Sequence, residues 1–158
     1  MEKLIKQYAP ACVELLRELI QTPSVNGEQN EGTLAKVIKD RAGSIELSAR
    51  FIEAEQGRPN VYIGQEEQFA DPASVLFVAH SDTVPVGDQA KWTYPPFAAE
   101  VHDGKVYGRG ALDCKGGIAL GVYALKILQD LGKADRAKML IGVDEESGAD
   151  SHIGIRYV

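Results

Sequence analysis

Ionisable side chains follow two apolar runs of the chain and precede a third. His80 and Asp82 come directly after the run 75–79, and three consecutive carboxylates, residues 144–146, come directly after another run. Asp113 lies between them in sequence, just before an apolar segment. One imidazole and several carboxylates are a ligand set for zinc, and also for cobalt or manganese. In such a site a shared carboxylate would hold two metals, and a spare carboxylate would act as general base.

Each of these groups also has an ordinary explanation. A histidine after a strand is usually a polar surface residue, Asp113 alone would serve as a helix cap, and the acidic run 144–146 as a solvated turn. Adjacent carboxylates repel one another, however, unless a cation lies among them. On an extended segment His80 and Asp82 point to the same face, so the carboxylate can accept a hydrogen bond from the ring nitrogen that does not bind metal. Taken together, the histidine and the carboxylates favour a metal site over the separate structural explanations.

The elements that would carry these side chains form a βαβ unit. Residues 75–79 and 139–143 are continuously apolar, which predicts strands covered on both faces. Between them, residues 118–131 have the apolar periodicity of a deeply packed helix. A strand, a crossover helix and a second strand predict a mostly parallel or mixed sheet. Because ligands bind at the carboxyl ends of strands in such sheets, the polar groups are expected to meet at one edge.

The remaining segments are predicted as flanking elements. An apolar stripe over residues 12–20 predicts a first helix, with Pro10 in its first turn. A loop over 22–32 leads to a second helix, and alternating apolar residues over 45–51 predict a half-buried strand. The acidic segment 65–74 is interpreted as a surface connection.

Composition and motif searches exclude several classes of function. The 158 residues include 17 basic and 23 acidic side chains, a net charge of −6, which argues against nucleic acid as a partner. No apolar run approaches a membrane span, and the N-terminus lacks the pattern of a signal peptide. Cys12 and Cys114 form neither a disulfide framework nor a CxxC zinc motif, so a reducing, cytoplasmic compartment is expected. Dinucleotide-binding, Walker, calcium-loop and nucleophile-elbow motifs do not fit.

Four further residues, two histidines and two aromatic side chains, are not expected to bind metal or substrate. His102 lies in a predicted turn and is expected to be exposed, and His152 has no partner suited to metal binding. Trp92 and Phe97 are expected to pack in the protein rather than contact substrate, since aromatic side chains dominate cores.

Short motifs are spread along nearly the whole chain. In order they are TPSV at 22–25, RPNV at 58–61, HSDTVP at 80–85, WTYPPF at 92–97, DGKVYGRG at 103–110, KGG at 115–117 and DEE at 144–146. This ordered set resembles the N-terminal part of the M20 family of zinc metallopeptidases and amidohydrolases. That family includes acetylornithine deacetylase, succinyl-diaminopimelate desuccinylase, aminoacylase, glutamate carboxypeptidase and several di- and tripeptidases.

The resemblance implies a fold and a role for each candidate residue. The fold would be an α/β three-layer sandwich, with a mixed, mostly parallel central sheet flanked by helices. His80 would bind one metal, and Asp82 would orient it. Asp113 would bridge two metals, and Glu146 would bind the second. Glu145 would be the general base on a water between two Zn²⁺ ions, with Co²⁺ or Mn²⁺ as alternatives, and that water would attack an amide carbonyl.

The resemblance also implies what lies beyond the DEE motif. Family members continue with a further acidic ligand, a last histidine ligand and a lid domain that carries substrate-binding groups and often the dimer interface. Residues 1–158 would therefore be the N-terminal portion of the catalytic domain, with three of the metal ligands and no lid. Little or no amidase activity is expected of them alone, and an unpaired strand edge predicts a homo-oligomer.

Two functions from different classes follow. The first is hydrolysis of amide bonds in N-acyl amino acids or small peptides, by a deacylase of the acetylornithine or succinyl-diaminopimelate type. The second is a catalytically inactive fragment that acts only as a folding or assembly unit. The metal stoichiometry of the purified chain would separate the two.

Overall fold

Three α-helices and six strands are the main elements of the described part of the chain. The computed structural model describes residues 1–28, 31–64 and 75–158, so the acidic segment 65–74 lies outside the described residues. The helices are α1 (Glu2–Gln21), α2 (Glu31–Ser44) and α3 (Lys115–Asp130). The strands are β1 (Ala49–Glu55), β2 (Arg58–Ile63), β3 (Val75–His80), β4 (Glu100–His102), β5 (Lys105–Tyr107) and β6 (Ala137–Gly142). Across these ranges, no helix combines the length and apolarity needed to cross a bilayer.

Four strands form a mixed sheet in the order β1-β2-β6-β3, and β4 and β5 form a separate hairpin. β3 and β6 pair in parallel, whereas β2 pairs antiparallel with both β1 and β6. A mixed sheet flanked by helices confirms the predicted α/β class, although only one of these three described pairings is parallel. The register sets His80 opposite Gly142, so β3 and β6 end level and lead into neighbouring polar loops.

The two parallel strands differ in burial. Every residue of β6 is buried, as its continuous apolar run predicts for a central strand. In β3, Phe77 and Ala79 pack into the core, but the alternate residues Leu76 and Val78 are 53% and 51% exposed. The prediction that both faces are covered is therefore right for β6 and wrong for β3. The reason is that β3 is an outer strand of the described sheet, and α3 packs on one of its faces.

The crossover between the parallel strands runs through α3. Ile118 and Val122 are fully buried in a core that also contains Met139 and Ile141 of β6. Burial of such side chains stabilises the fold by roughly 1.5–3 kcal/mol each. The predicted βαβ unit is confirmed, and it fixes the segment before α3 at the same sheet edge as the ends of β3 and β6.

Two predicted boundaries differ from the structure. α1 begins at Glu2, so Pro10 lies inside the helix rather than in its first turn. Tyr8 packs against the core and extends the apolar stripe toward the N-terminus, which offsets the backbone hydrogen bond that proline cannot make. The strand expected over 45–51 begins only at Ala49, because the backbone of Glu46 has a φ of 64° and cannot continue a strand.

Candidate metal centre

His80 is held at the end of β3 by contacts on both sides of its ring. Its backbone N–H donates to Cys114 Sγ at 3.2 Å. Ring Nδ1 lies 3.0 Å from the backbone oxygen of Asp82 and 3.6 Å from its carboxylate Oδ1. The nearer partner is therefore the carbonyl group, not the carboxylate that the His-x-Asp spacing suggested. Ring Nε2 faces the opposite way and lies 2.8 Å from Asp113 Oδ1.

Asp113 is carried by a tightly folded loop before α3. Its carboxylate is 78% exposed, and His80 is its hydrogen-bond partner among the described residues. Gly110 permits the loop because its φ is +79°, a conformation that side chains disfavour. Gly116 permits close packing, since a Cβ there would lie 2.6 Å from the carbonyl oxygen of Ala111. These two glycines thus allow the loop before α3 to fold closely around Asp113.

Asp82 connects the loop after β3 to the DEE turn after β6. It is fully buried, and its carboxylate accepts from the backbone N–H of Glu145 at 3.1 Å and of Glu146 at 2.9 Å. Asn26 donates to the same carboxylate at 2.7 Å. Burial opposes ionisation, but the nearby His80 ring and the hydrogen bonds from the two amides and Asn26 outweigh it and lower the pKa of Asp82. An ionised Asp82 therefore positions both glutamates.

All five predicted site residues meet at this edge of the sheet. Potential ligand atoms of His80, Glu145 and Glu146 lie within 4.8 Å of one another, and so do those of His80, Asp113 and Cys114. His80 Nε2 is 3.8 Å from Glu145 Oε2. Within the described ranges, His80 rather than Asp113 is the residue common to both groups. Nitrogen and carboxylate donors at such spacing fit a divalent cation such as Zn²⁺.

The electrostatics of the cluster favour a cation. Burial raises the pKa of Glu146; His80 opposes this rise, and the carboxylates of Asp113, Asp82 and Glu145 add to it. Burial lowers the pKa of His80, but the polar groups of Asp82, Cys114 and Asp113 around it outweigh burial and raise it. Carboxylates that oppose one another's ionisation, and that raise the pKa of a neighbouring imidazole, indicate that positive charge is stabilised at this point.

A second layer of polar residues was missed by the sequence analysis. Arg58 donates to both carboxylate oxygens of Glu31, at 2.8 Å for Nη2, and to Asp144 Oδ1 at 3.1 Å. Glu31 is almost fully buried and also accepts from the backbone N–H of Asp144 at 3.3 Å. Arg58 belongs to the RPNV motif, which could have pointed to it. Glu31 lies beside a polar loop and has no such signal.

The other histidines lie apart from the cluster. His102 pairs with Glu100 at 2.7 Å and stacks on Tyr94 with ring centroids 4.0 Å apart, in the β4-β5 hairpin. His152 is exposed. Trp92 is partly buried, and its Nε1 donates to the carbonyl of Val86 at 2.9 Å, as expected of a packing residue.

Comparison with known sequences identifies the same region. The profile of Peptidase family M20/M25/M40 matches residues 76–158, which contain every predicted site residue. Over 140 residues, 85% of this chain, the sequence is 37% identical to a succinyl-diaminopimelate desuccinylase of Bradyrhizobium sp. (strain ORS 278). The chain spans 36% of the length of that relative.

Solved structures share the fold. An M20 family metallo-carboxypeptidase from Sulfolobus solfataricus superposes with a TM-score of 0.70 and 24% identity, over 85% of this chain and 30% of that one. Human carnosine dipeptidase 1 superposes with a TM-score of 0.72 and 22% identity, over 96% and 36% of the two chains. Family profile, relative and fold agree: the chain belongs to the M20 family of metallopeptidases and related amide hydrolases.

Proposed function

We propose that this chain supplies part of the metal centre of a hydrolase that cleaves amide bonds in N-acyl amino acids or small peptides. His80, Asp113 and Glu146 would hold two Zn²⁺ ions, or Co²⁺ or Mn²⁺, together with ligands from elsewhere in the protein. The observation that carries the proposal is the convergence of His80 Nε2 with the Asp113 carboxylate and both glutamates at the end of the parallel strand pair.

The donor set fits this class of metal. Imidazole nitrogen and carboxylate oxygen are the ligands of catalytic zinc sites, and His80 Nδ1 is already engaged by Asp82, which leaves Nε2 to face the metal. When bound, the metal would act as a Lewis acid toward the amide carbonyl and lower the pKa of water. Asp82 would keep the ring orientation and, through the amides of Glu145 and Glu146, the placement of both carboxylates.

Glu145 is the residue proposed to move the proton. Its side chain is 53% exposed, so substrate and water can reach it. It would take a proton from the attacking water and deliver it to the leaving amine, which is typically worth 10²–10⁴-fold in rate. Glu146 is less exposed than Glu145, and burial together with the neighbouring carboxylates raises its pKa. A bound cation would offset this repulsion and hold Glu146 ionised, as a metal ligand requires.

A relative supports the proposed substrate class. The desuccinylase of Bradyrhizobium, 37% identical to this chain, supports an N-acyl amino acid as substrate, with the acyl carbonyl as the carbonyl of the scissile amide. Two free cysteines, Cys12 and Cys114, support a reducing, cytoplasmic location.

A chimera tests the proposal. This chain would replace the matching segment of the Bradyrhizobium desuccinylase, and release of succinate from succinyl-diaminopimelate would be measured with Zn²⁺ or Co²⁺. We expect metal-dependent turnover that falls about 100-fold or more with Glu145→Gln. Glu2→Gln, an exposed substitution on α1, is the control and should leave turnover unchanged.

A folded chimera that binds metal but turns over equally well with Glu145→Gln would contradict the assignment of the base. A folded chimera that neither binds metal nor turns over would favour the alternative of a non-catalytic folding or assembly unit.

A further inference from the structure

Lys115 is fully buried two residues after Asp113, and it is among the largest buried side chains in the described chain. Lysine is rarely buried unless its charge is compensated. Here the side chain reaches away from the acidic cluster, toward the end of α1. Neither the proposed metal chemistry nor the core packing requires an amine at this position.

The amine of Lys115 binds two backbone carbonyls at the C-terminal end of α1, one in its last turn and one in the residue that follows the helix. Nζ donates to the backbone oxygen of Leu19 at 2.8 Å and of Thr22 at 2.9 Å. Carbonyls at a helix C-terminus lack partners within the helix and carry partial negative charge, so they attract a cationic donor. Burial lowers the pKa of Lys115 to about 7, and both the ammonium and the amine carry the two hydrogens that these bonds need.

The same side chain supports the loop that carries Asp113. The backbone N–H of Lys115 donates to the carbonyl of Gly110 at 2.9 Å. A Cβ on Gly110 would lie 3.1 Å from Lys115 Cδ and 2.8 Å from Thr83 Cγ2, so the loop is held between these two side chains. Thr83 in turn donates its backbone N–H to the carbonyl of Ser24 at 3.0 Å. Lys115 thus links the Asp113 loop to α1 and to the segment that follows His80.

Asp113 needs such support because its own side chain makes few contacts that could fix its position. Its carboxylate is 78% exposed and contacts His80. Because few side-chain contacts hold the Asp113 carboxylate, its position depends on the backbone of the loop. Lys115 anchors that backbone.

We propose that Lys115 is a positioning residue that fixes Asp113 for metal binding by tying its loop to the C-terminal carbonyls of α1. This inference rests on the proposed metal centre. Lys115 does not touch the metal or the substrate, and it acts through the position of Asp113.

Co²⁺ titration of the purified chain, followed by the visible absorption of bound Co²⁺, tests the inference. Lys115→Met keeps the length of the side chain and removes both donors. We expect about 10-fold weaker Co²⁺ binding and an altered visible spectrum, with the circular dichroism of the helices unchanged. Lys126→Met is the matched control, because Lys126 is a buried lysine on the same helix that pairs with Asp130 at 3.0 Å, remote from the site. It should bind Co²⁺ like the wild type.

A double-mutant cycle with Asp113→Ala separates positioning from general damage. If Lys115 acts through Asp113, Lys115→Met should weaken Co²⁺ binding by less than about 2-fold once Asp113 is replaced. The same loss in both backgrounds, or wild-type affinity and spectrum in Lys115→Met, would overturn the inference while leaving the metal centre intact.

A second variant, Lys115→Gln, tests whether the lysine is needed for folding, because glutamine is shorter but keeps a hydrogen-bond donor. Loss of the helical signal in both Lys115 variants would also overturn the inference, since the lysine would then support the whole domain. Absence of Co²⁺ binding by the wild-type chain would instead refute the metal centre on which the inference rests.

Discussion

The two carboxylate oxygens of Asp82 join the two halves of the candidate metal centre. Oδ1 accepts from the amide of Glu145, and Oδ2 accepts from the amide of Glu146 and from Asn26. The backbone carbonyl of the same residue faces the His80 ring. Charge-assisted hydrogen bonds of this kind are roughly twice as strong as neutral ones. One buried aspartate therefore sets the distance between the imidazole and the acidic pair.

Asp82→Asn tests this role. The amide group of asparagine would present N–H donors to a backbone N–H, so a buried donor would lose its partner. We expect a loss of about 2–3 kcal/mol in the free energy of unfolding, measured by urea denaturation with circular dichroism. The exposed Asp135→Asn is the control and should change stability by less than about 0.5 kcal/mol. Equal effects of the two substitutions would contradict the role.

The stability difference between wild type and Asp82→Asn should decrease as the pH falls. The pKa of Asp82 is lowered in the folded state from its usual 3.8, so its stabilisation is present above that value and is lost as the pH falls through the folded pKa. Urea denaturation between pH 5 and pH 2 should therefore show the gap between wild type and Asp82→Asn closing as the pH falls. A gap that stays constant over this range would show that ionisation of Asp82 is not its source.

The two adjacent glutamates should differ when tested separately in the chimera. Glu145→Gln should retain metal and lose most turnover, because a base must be free to take a proton. Glu146→Gln should weaken metal binding by about 10-fold or more, because a neutral amide is a poorer ligand than a carboxylate held ionised by the cation. Metal content by atomic absorption and turnover of each variant provide the measurement. Equal metal loss in both would refute this division of roles.

At the scale of elements, an ion-pair network connects the DEE turn, residues 144–146, to the strand β2 and the helix α2. Arg58 begins β2, Glu31 begins α2, and Asp144 opens the turn after β6 in a left-handed conformation with a φ of 60°. Arg58 bonds to both carboxylates, and Asn26 adds a bond to Asp144 at 3.3 Å. Three elements far apart in sequence thus hold the turn that carries the two glutamates.

Arg58→Met should remove both ion pairs of this network and destabilise the fold. Removal of the guanidinium leaves the buried Glu31 without its partner, and we expect a loss of about 3 kcal/mol in the free energy of unfolding. Arg136→Met provides the control, because Arg136 pairs with Asp135 on the exposed surface, and such pairs contribute less than about 1 kcal/mol. Urea denaturation of both variants gives the comparison. A loss in Arg58→Met no larger than in the control would mean that the network does not support the turn.

The parts of the fold that carry strong periodic patterns were predictable. Two continuous apolar runs and the helix between them predicted β3, α3 and β6, and with them the edge where His80 and Asp113 meet. The network of Arg58 and Glu31 was not predictable, because its members come from a strand start and a helix start whose contact depends on the whole fold. The exposed face of β3 was also missed, since an apolar run alone does not reveal the position of a strand in the sheet.

At the scale of the molecule, β3 is one of the two outer strands of the described sheet and presents an exposed apolar face. β3 is the last strand in the described order, and Leu76 and Val78 are about half exposed on its free face. An exposed apolar outer strand favours association with another chain. A homo-oligomer, expected from the sequence, remains a prediction.

Leu76→Lys combined with Val78→Lys should reduce self-association, because charged side chains on an outer strand oppose pairing. The mass in solution would be measured by light scattering after size-exclusion chromatography, with wild type expected as a dimer or larger and the variant shifted toward monomer. Val101→Lys, at a 48% exposed position on the separate hairpin, is the control and should leave the mass unchanged. A monomeric wild type, or a variant of unchanged mass, would contradict the prediction.

Anomalous X-ray diffraction from crystals of the chain grown with Zn²⁺ tests the metal centre most directly. We predict a zinc peak roughly 2.0–2.2 Å from His80 Nε2 and from a carboxylate oxygen of Asp113, in place of the direct hydrogen bond between these residues. Ordered zinc bound elsewhere on the chain, with His80 Nε2 still hydrogen-bonded to Asp113, would contradict the account.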